Sequence, residues 1–318
     1  MKNSRNFYLI IDIIFLEVFI MEHSKETYIR IFREQAEKIF TDLLNTKLPL
    51  NAKASEMNKR LKAFKDSEIS KIIYNAKSIS YSEKSLLDEI LLITYASYIV
   101  MLEYRNDIWP YEYMSFSRRV GELWEPFCKL AFHHPMKQLK MIEPPSFQSV
   151  QSSIQADAAD FIDSLPLNEK TKHELKRKYE IPWTMVDSGG INLQLDLHFE
   201  QNKKRYNCDF KSGFSSNEKG NTNRLLLVAS IFNYIGQDEN QIIFVRQKES
   251  ENNHYLQLLK NSKYWTVYCA EECYEAIHDF TGFDLRKWLN QNAHWEEDIN
   301  DGFRKHLKQS DLLKYLAW

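Results

Sequence analysis

Asp196, Asp209 and Lys211 are the residues whose types and spacing suggest chemistry. From Ile191 to Phe199 every second residue is apolar, so Asn192, Gln194, Asp196 and His198 share the opposite face of an extended strand. Arg205 to Lys211 reads as a second strand, with Cys208 and Phe210 on one face and Asp209 and Lys211 on the other. Pairing the two strands through the polar turn from Glu200 to Lys204 brings Asp196 and Asp209 side by side, with Lys211 close behind. Carboxylates directly opposite each other repel. A hard divalent cation that prefers oxygen ligands offsets that repulsion and is the natural candidate. Such a set suits phosphodiester hydrolysis, which needs a nucleophilic water, shielding of charge developing on phosphorus, and a stabilised leaving oxygen. The metal serves the last two and lowers the pKa of water for the first. Lys211 can orient the water and add positive charge where the transition state is most negative.

The segment LQLDLHFEQNKKRYNCDFKSG resembles the PD-(D/E)xK nuclease motif, an acid on one strand followed by acid-x-lysine on the next. Leu195, where that motif has proline, precedes the first acid, a departure the family tolerates. The resemblance spans residues 117–246. It implies a restriction-endonuclease-like α/β core, a central mixed sheet flanked by helices, joined to a helical amino-terminal region. It also implies that Asp196 and Asp209 ligate magnesium, that Lys211 positions or activates the water, and that cleavage leaves a 5′-phosphate and a 3′-hydroxyl. Many members carry a glutamate on the helix before the catalytic strands. Glu122, directly after Gly121, matches that position and joins both the catalytic and the metal sets, with Glu125 as the reserve. A solvated glutamate on an amphipathic helix is the plainer reading of either. The class most resembled is the type II restriction endonucleases, which cut double-stranded DNA at specific sequences.

Several neighbours suit DNA. The stretch after Lys211 offers Ser212, Ser215, Ser216, Asn217, Lys219, Asn221, Asn223 and Arg224, small hydrogen-bonding or basic groups that fit phosphates or base edges. The plain alternative is a polar surface loop. Lys203, Lys204 and Arg205, the basic run KTKHELKR at 170–177, Arg246, and Arg118 with Arg119 are further basic candidates. His133, His134 and His198 have no partner at metal spacing and read as structural or surface residues. Asp187 is an alternative first acid, but its place before Gly189-Gly190 reads as a turn former.

The elements that position these residues follow from periodicity. Residues 21–140 read as helical: Ser24 is an N-cap before Tyr28, Ile31, Phe32, Ile39, Phe40 and Leu43, and Leu61 to Ile73 adds one or two more helices. Ser82 opens a helix with a broad apolar face, Trp109-Pro110 breaks the pattern, and Ser117 starts a helix to His133. Residues 141–165, with Pro144-Pro145 and a Ser/Gln run, read as a connection into a catalytic domain over 141–318. After the hairpin come an apolar helix from Leu225 to Tyr234, a strand from Gln241 to Arg246, a helix from Tyr255 to Leu259 and a strand from Tyr264 to Tyr268. Several helices finish the chain, among them Asp284 to Leu289 and Asp311 to Tyr315. Strands alternating with helices indicate a mixed α/β domain.

Composition bounds the alternatives. With 43% hydrophobic and 27% charged residues the chain reads as an ordinary globular protein. A net charge of −2 does not advertise a nucleic-acid binder, although a basic cleft can coexist with an acidic exterior. Cys128, Cys208, Cys269 and Cys273 form no zinc-ligand series, so they read as reduced structural thiols of a cytoplasmic protein. Phe7 to Ile20 is apolar, but Asp12 and Glu17 interrupt it, and it is shorter than the roughly 20 residues of a bilayer span. Residues 1–20 therefore read as an upstream extension of the reading frame; the alternatives are a packed strand or helix and, less favoured, a membrane anchor, and no membrane partner is expected. No Walker-type Gly-Lys-Ser/Thr run is present. Competing readings are a structure-directed DNA or RNA nuclease, a catalytically silent DNA-binding module, and a chance motif in an α-rich protein. A palindromic target would favour a homodimer.

Overall fold

The computed structural model describes residues 24–76, 81–185, 191–214, 218–236, 238–316 and 318. The apolar amino-terminal stretch, Asp187 with its Gly-Gly turn, Ser215, Ser216 and Asn217 lie outside the described residues. The chain divides into two compact units, one running up to Gln138 and resuming over Glu271–Trp318, the other covering Leu139–Ala270. The division departs from the sequence expectation that everything after residue 140 belongs with the hairpin, because the last helices pack with the amino-terminal ones.

The first unit is helical. Its helices are α1 (Lys25–Leu44), α2 (Leu50–Ala76), α3 (Glu83–Ile108) and α4 (Tyr113–His133). Ser24 and Ser82 cap α1 and α3 as expected, each hydroxyl accepting from a backbone N–H in the first turn, Thr27 and Ser85 respectively. Helix α4 begins at Tyr113, before the expected Ser117, because Ser115 Oγ accepts from the Glu112 N–H and fixes the entry. Helix α3 is long and apolar enough to cross a membrane by length and composition, but 78% of its most apolar window is buried inside the protein. It is the core helix of this unit.

The second unit starts with strand β1 (Lys140–Met141). The expected connection that follows contains helix α5 (Phe147–Ser164), started by Ser146 accepting from the Ser149 N–H at 3.1 Å. Helix α6 (Glu169–Met185) carries the basic run. Then come β2 (Leu197–Gln201), β3 (Lys204–Lys211), α7 (Lys219–Ile235), β4 (Glu239–Val245), α8 (His254–Lys260) and β5 (Trp265–Cys269). Among the described residues these strands form one sheet in the order β1-β2-β3-β4-β5. Strands β1, β2 and β3 run antiparallel, and β3, β4 and β5 parallel, so the sheet is mixed and has helices packed on it. The crossover helix α7 is what a parallel β3–β4 connection demands. Asn202 and Lys203, both at positive φ, make the two-residue turn between β2 and β3 that suits the twist of a tight hairpin.

Directly paired residues share a face, so the register sorts the sheet. One face carries Asp209 beside Ile243 and Val267, and Lys211 beside Val245 and Cys269. Helices α7 and α8 cover this face: Leu225, Val228, Ala229 and Phe232 with Leu256 and Leu259 form one buried cluster with Ile243, Val245, Trp265 and Val267. The other face carries aromatic neighbours, Phe199 stacked on Tyr206 and Phe210 beside Phe244. In the first unit the chain resumes with α9 (Glu271–Thr281), α10 (Leu285–Asn292), α11 (Trp295–Asp298) and α12 (Asp301–Gln309). The expected helix from Asp311 to Tyr315 is only a 3-10 turn, Leu313–Tyr315. Trp124 Nε1 donates to Tyr274 Oη at 2.9 Å, and Lys25 pairs with Asp298, which is why this segment belongs with the amino-terminal helices.

Candidate active site

Asp196 sits at a bend, not inside a strand. The expected single strand from Ile191 to Phe199 is paired only from Leu197, and the residues before it are extended but outside the ladder. The alternation survives because its two halves serve different layers. Leu193 and Leu195 join the cluster under α7, whereas Leu197 and Phe199 stay buried in the ladder outside that cluster. The chain turns between them at Asp196. Two side-chain acceptors hold the turn: Asp196 Oδ2 accepts the Phe210 N–H at 2.7 Å, and His198 Nε2 accepts the Leu195 N–H at 2.9 Å.

That second bond fixes the histidine. With Nε2 accepting, Nδ1 carries the proton and donates to Asn207 Oδ1 at 2.7 Å. Asn207 Nδ2 donates in turn to Glu239 Oε2 at 2.6 Å, and Arg205 stands 3.3 Å from the other oxygen of Glu239. Burial pulls the pKa of His198 below the usual histidine value, which matches a neutral ring. His198 is therefore structural, as expected, but buried under α7, its ring 6.0 Å from that of Phe232. Sequence reasoning did not single out Asn207 or Glu239. The signal was available in the hairpin register, since Asn207 is the direct partner of His198.

The hairpin brings the two acids near each other. The last ladder pair is Leu197 with Cys208, and Asp196, just outside the ladder, accepts the Phe210 N–H and lies close enough to raise the pKa of Asp209. Asp209 is almost sealed from solvent, and Lys211 Nζ stands 2.5 Å from its Oδ2. That contact is a close charge-assisted pair, and it is the nearest partner of the buried Oδ2 among the described residues. Arg224, from the second turn of α7, places a guanidinium nitrogen 3.7 Å from Oδ1. Burial pushes the Asp209 carboxyl up to about 6; Lys211 opposes this, Asp196 reinforces it and Arg224 opposes it. The side chain of Lys211 is 20% exposed and that of Arg224 41%, so the route from solvent to Asp209 passes the two cations.

Two neighbouring carboxylates, one of them buried and raised to about 6, are a donor set of the kind a magnesium ion takes. That ion keeps several waters and takes one or two carboxylates together with substrate oxygens. Among the described residues no group of three or more His, Cys, Asp or Glu side chains is assembled for a metal. Glu122 and Glu125 lie on α4 in the first unit, and their carboxylates are engaged on their own helix. Glu122 meets Arg118 at 2.7 Å and Arg119 at 3.3 Å; Glu125 meets Lys129 at 3.1 Å.

Of the expected DNA-contacting residues, Ser212 accepts two bonds from Arg246, at 3.0 and 3.1 Å, next to the Arg246 N–H that bonds Lys211 O at 2.9 Å. Arg246 thus holds the loop after Lys211 in place. Asn221 bonds Glu218 at 3.0 Å, while Lys219 and Asn223 are exposed at the start of α7. The basic run on α6 is partly spent internally, since Lys172 and Lys176 both reach Asp163. Cys128, Cys208, Cys269 and Cys273 are buried. Compared with known protein families, curated proteins and solved structures, the chain matches none of them.

Proposed function

We propose that this chain is a magnesium-dependent endonuclease that cuts double-stranded DNA at specific sequences, in the manner of a type II restriction enzyme with a restriction-endonuclease-like core. The observation that carries the reading is Asp209: a buried carboxylate close to Asp196, with Lys211 2.5 Å from one oxygen and Arg224 3.7 Å from the other. A buried acid raised to about 6 beside a second carboxylate and two part-exposed cations is the kind of constellation found where a fold serves a ligand. The antiparallel hairpin leading through a crossover helix into a parallel strand supports the resemblance further.

Asp196 and Asp209 would hold the metal, which when bound would lower the pKa of an attacking water and shield charge on the phosphate. Asp196 is kept in place by the Phe210 N–H and by the bend that His198 secures. With a cation on those carboxylates, Lys211 would be available to orient the water and to meet negative charge as it develops. The exposed bases at the start of α7 would bear on the DNA backbone.

The test is incubation with a mixed plasmid and phage DNA panel in magnesium, beside Asp209→Ala and Lys211→Ala. Discrete fragments from the wild type, reduced on the order of 10³-fold or more in both variants, are expected for a transition-state charge group and a metal ligand. Diffuse metal-dependent degradation would replace site-specific cutting with a general nuclease. Folded wild type that leaves DNA and RNA intact would remove the catalytic reading.

A further inference from the structure

We propose that Arg224 is a third catalytic side chain, gripping the non-bridging oxygens of the phosphodiester being cut. The assignment rests on the nuclease reading above and sharpens it from general DNA contact to one phosphate. Arg224 projects from a firmly seated part of α7. Its neighbour Leu225 is fully buried in the cluster over the sheet, and Leu225 O accepts from Trp265 Nε1 at 3.2 Å. The base of the side chain is therefore fixed while its tip is not.

Arg224 is the outer of the two cations beside Asp209. Lys211 already faces Asp209 at 2.5 Å, whereas the guanidinium is 3.7 Å away, beyond hydrogen-bonding distance. Among the described residues no acceptor takes any of its donors, and 41% of the side chain is open to solvent. A planar fork of N–H groups beside a buried acid, 41% open to solvent, has the shape that binds two oxygens of a phosphate at once.

Charge points the same way. Asp196 and Asp209 against Lys211 and Arg224 sum to zero, so a divalent cation in the site leaves a surplus of two positive charges. A phosphodiester brings one negative charge, and its transition state gathers more on the same oxygens. A site with only the lysine would be complementary to the substrate; the arginine adds what the transition state needs.

The experiment uses the full chain and a duplex containing a cut position mapped with the wild type. Single-turnover cleavage by Arg224→Ala and Arg224→Lys is measured in magnesium. Binding is measured by fluorescence anisotropy with calcium in place of magnesium, on that duplex and on one carrying an uncharged methylphosphonate at the cut position. Thermal unfolding confirms that the variants are folded; Arg224→Lys keeps the charge beside Asp209 should Arg224→Ala fail to fold. Arg224→Ala is expected to cleave about 10²–10³-fold more slowly, with partial recovery in Arg224→Lys, whose single ammonium lacks the fork. It is expected to bind the normal duplex about tenfold more weakly and the methylphosphonate duplex as well as the wild type does. Cleavage by Arg224→Ala within threefold of wild type, or an equal loss of binding on both duplexes, would overturn the assignment while leaving the nuclease reading intact. A wild type that cuts no DNA overturns both.

Discussion

Both units bury acids, and they treat them differently. In the first unit Glu103 is fully buried and fully served: Arg33 meets both its oxygens, at 2.6 and 3.0 Å, and the Asn300 N–H donates at 2.7 Å. Glu89 takes the hydroxyls of Tyr28 and Tyr81, one on each oxygen. Asp298 takes Lys25, the Tyr95 hydroxyl and the His294 N–H. Asp209 in the second unit is as deeply buried, yet its partners are two part-exposed cations, Lys211 at 2.5 Å and Arg224 at 3.7 Å, and its carboxyl is pushed up to about 6. The difference is between acids whose oxygens take donors from several elements and one held by cations that reach solvent. Buried charge costs free energy unless paired and hydrogen-bonded, and at Asp209 burial outweighs the pairing.

The largest expected effect comes from breaking the well-served kind. Glu103→Ala strands the Arg33 guanidinium and the Asn300 N–H, at the start of α12, and opens a cavity. Removing one partner of a buried pair typically costs 3–5 kcal/mol; the lower end, about 3 kcal/mol, is expected because Arg33 keeps partial access to water. Urea unfolding of the full chain reads this directly. A loss under about 1 kcal/mol would erase the contrast between the units, since saturation of the pair would then count for nothing.

Asp209 should respond with the opposite sign. Its carboxyl is raised from the ordinary 3.8 to about 6, so the folded protein binds a proton more readily than the unfolded chain does. Stability therefore falls as pH rises through that window, and above it the full cost of ionising a buried acid is present. Asp209→Asn removes the charge and should stabilise the metal-free protein by on the order of 1–3 kcal/mol at pH 7, with the gain fading as pH drops towards 4. Denaturation curves at several pH values, in a chelator, check both the sign and the slope. A destabilised variant at neutral pH would mean that the Lys211 contact outweighs burial, making Asp209 a structural acid like Glu103.

How far this contrast could be read from sequence depends on how local each signal is. The hairpin was legible because apolar alternation and a polar turn are written in neighbouring residues. The bend at Asp196 was not. Leu193 and Leu195 continue the same period of two whether the chain stays in the ladder or leaves it, and only the cluster under α7 decides. His198 lay on the polar side of that pattern, yet α7 covers it, and a covering helix leaves no mark on the strand beneath. The return of the last helices to the first unit was equally hidden. It rests on single long-range contacts such as Glu103 with Asn300, which no window of sequence contains.

Glu122 marks the boundary between the two kinds of acid and gives the smallest effect. Its carboxylate is 43% exposed and meets Arg118 and Arg119 one turn back on α4, at helical spacings. Exposed pairs of that type stabilise a helix by about 0.3–0.5 kcal/mol each, partly cancelled by the entropy of holding long side chains still. Glu122→Ala should therefore lower stability by roughly 0.5 kcal/mol, an effect that salt diminishes. Urea unfolding at low and high salt measures that part, and the same plasmid digestion used for Asp209→Ala measures the rest. If the residue serves only its helix, the variant cuts DNA at the wild-type rate while Asp209→Ala does not. A loss of cleavage as deep as that of Asp209→Ala, with stability barely changed, would move Glu122 from the acids that hold a helix to those that serve the metal. The pairing with Arg118 and Arg119 would then be an arrangement the loaded enzyme gives up.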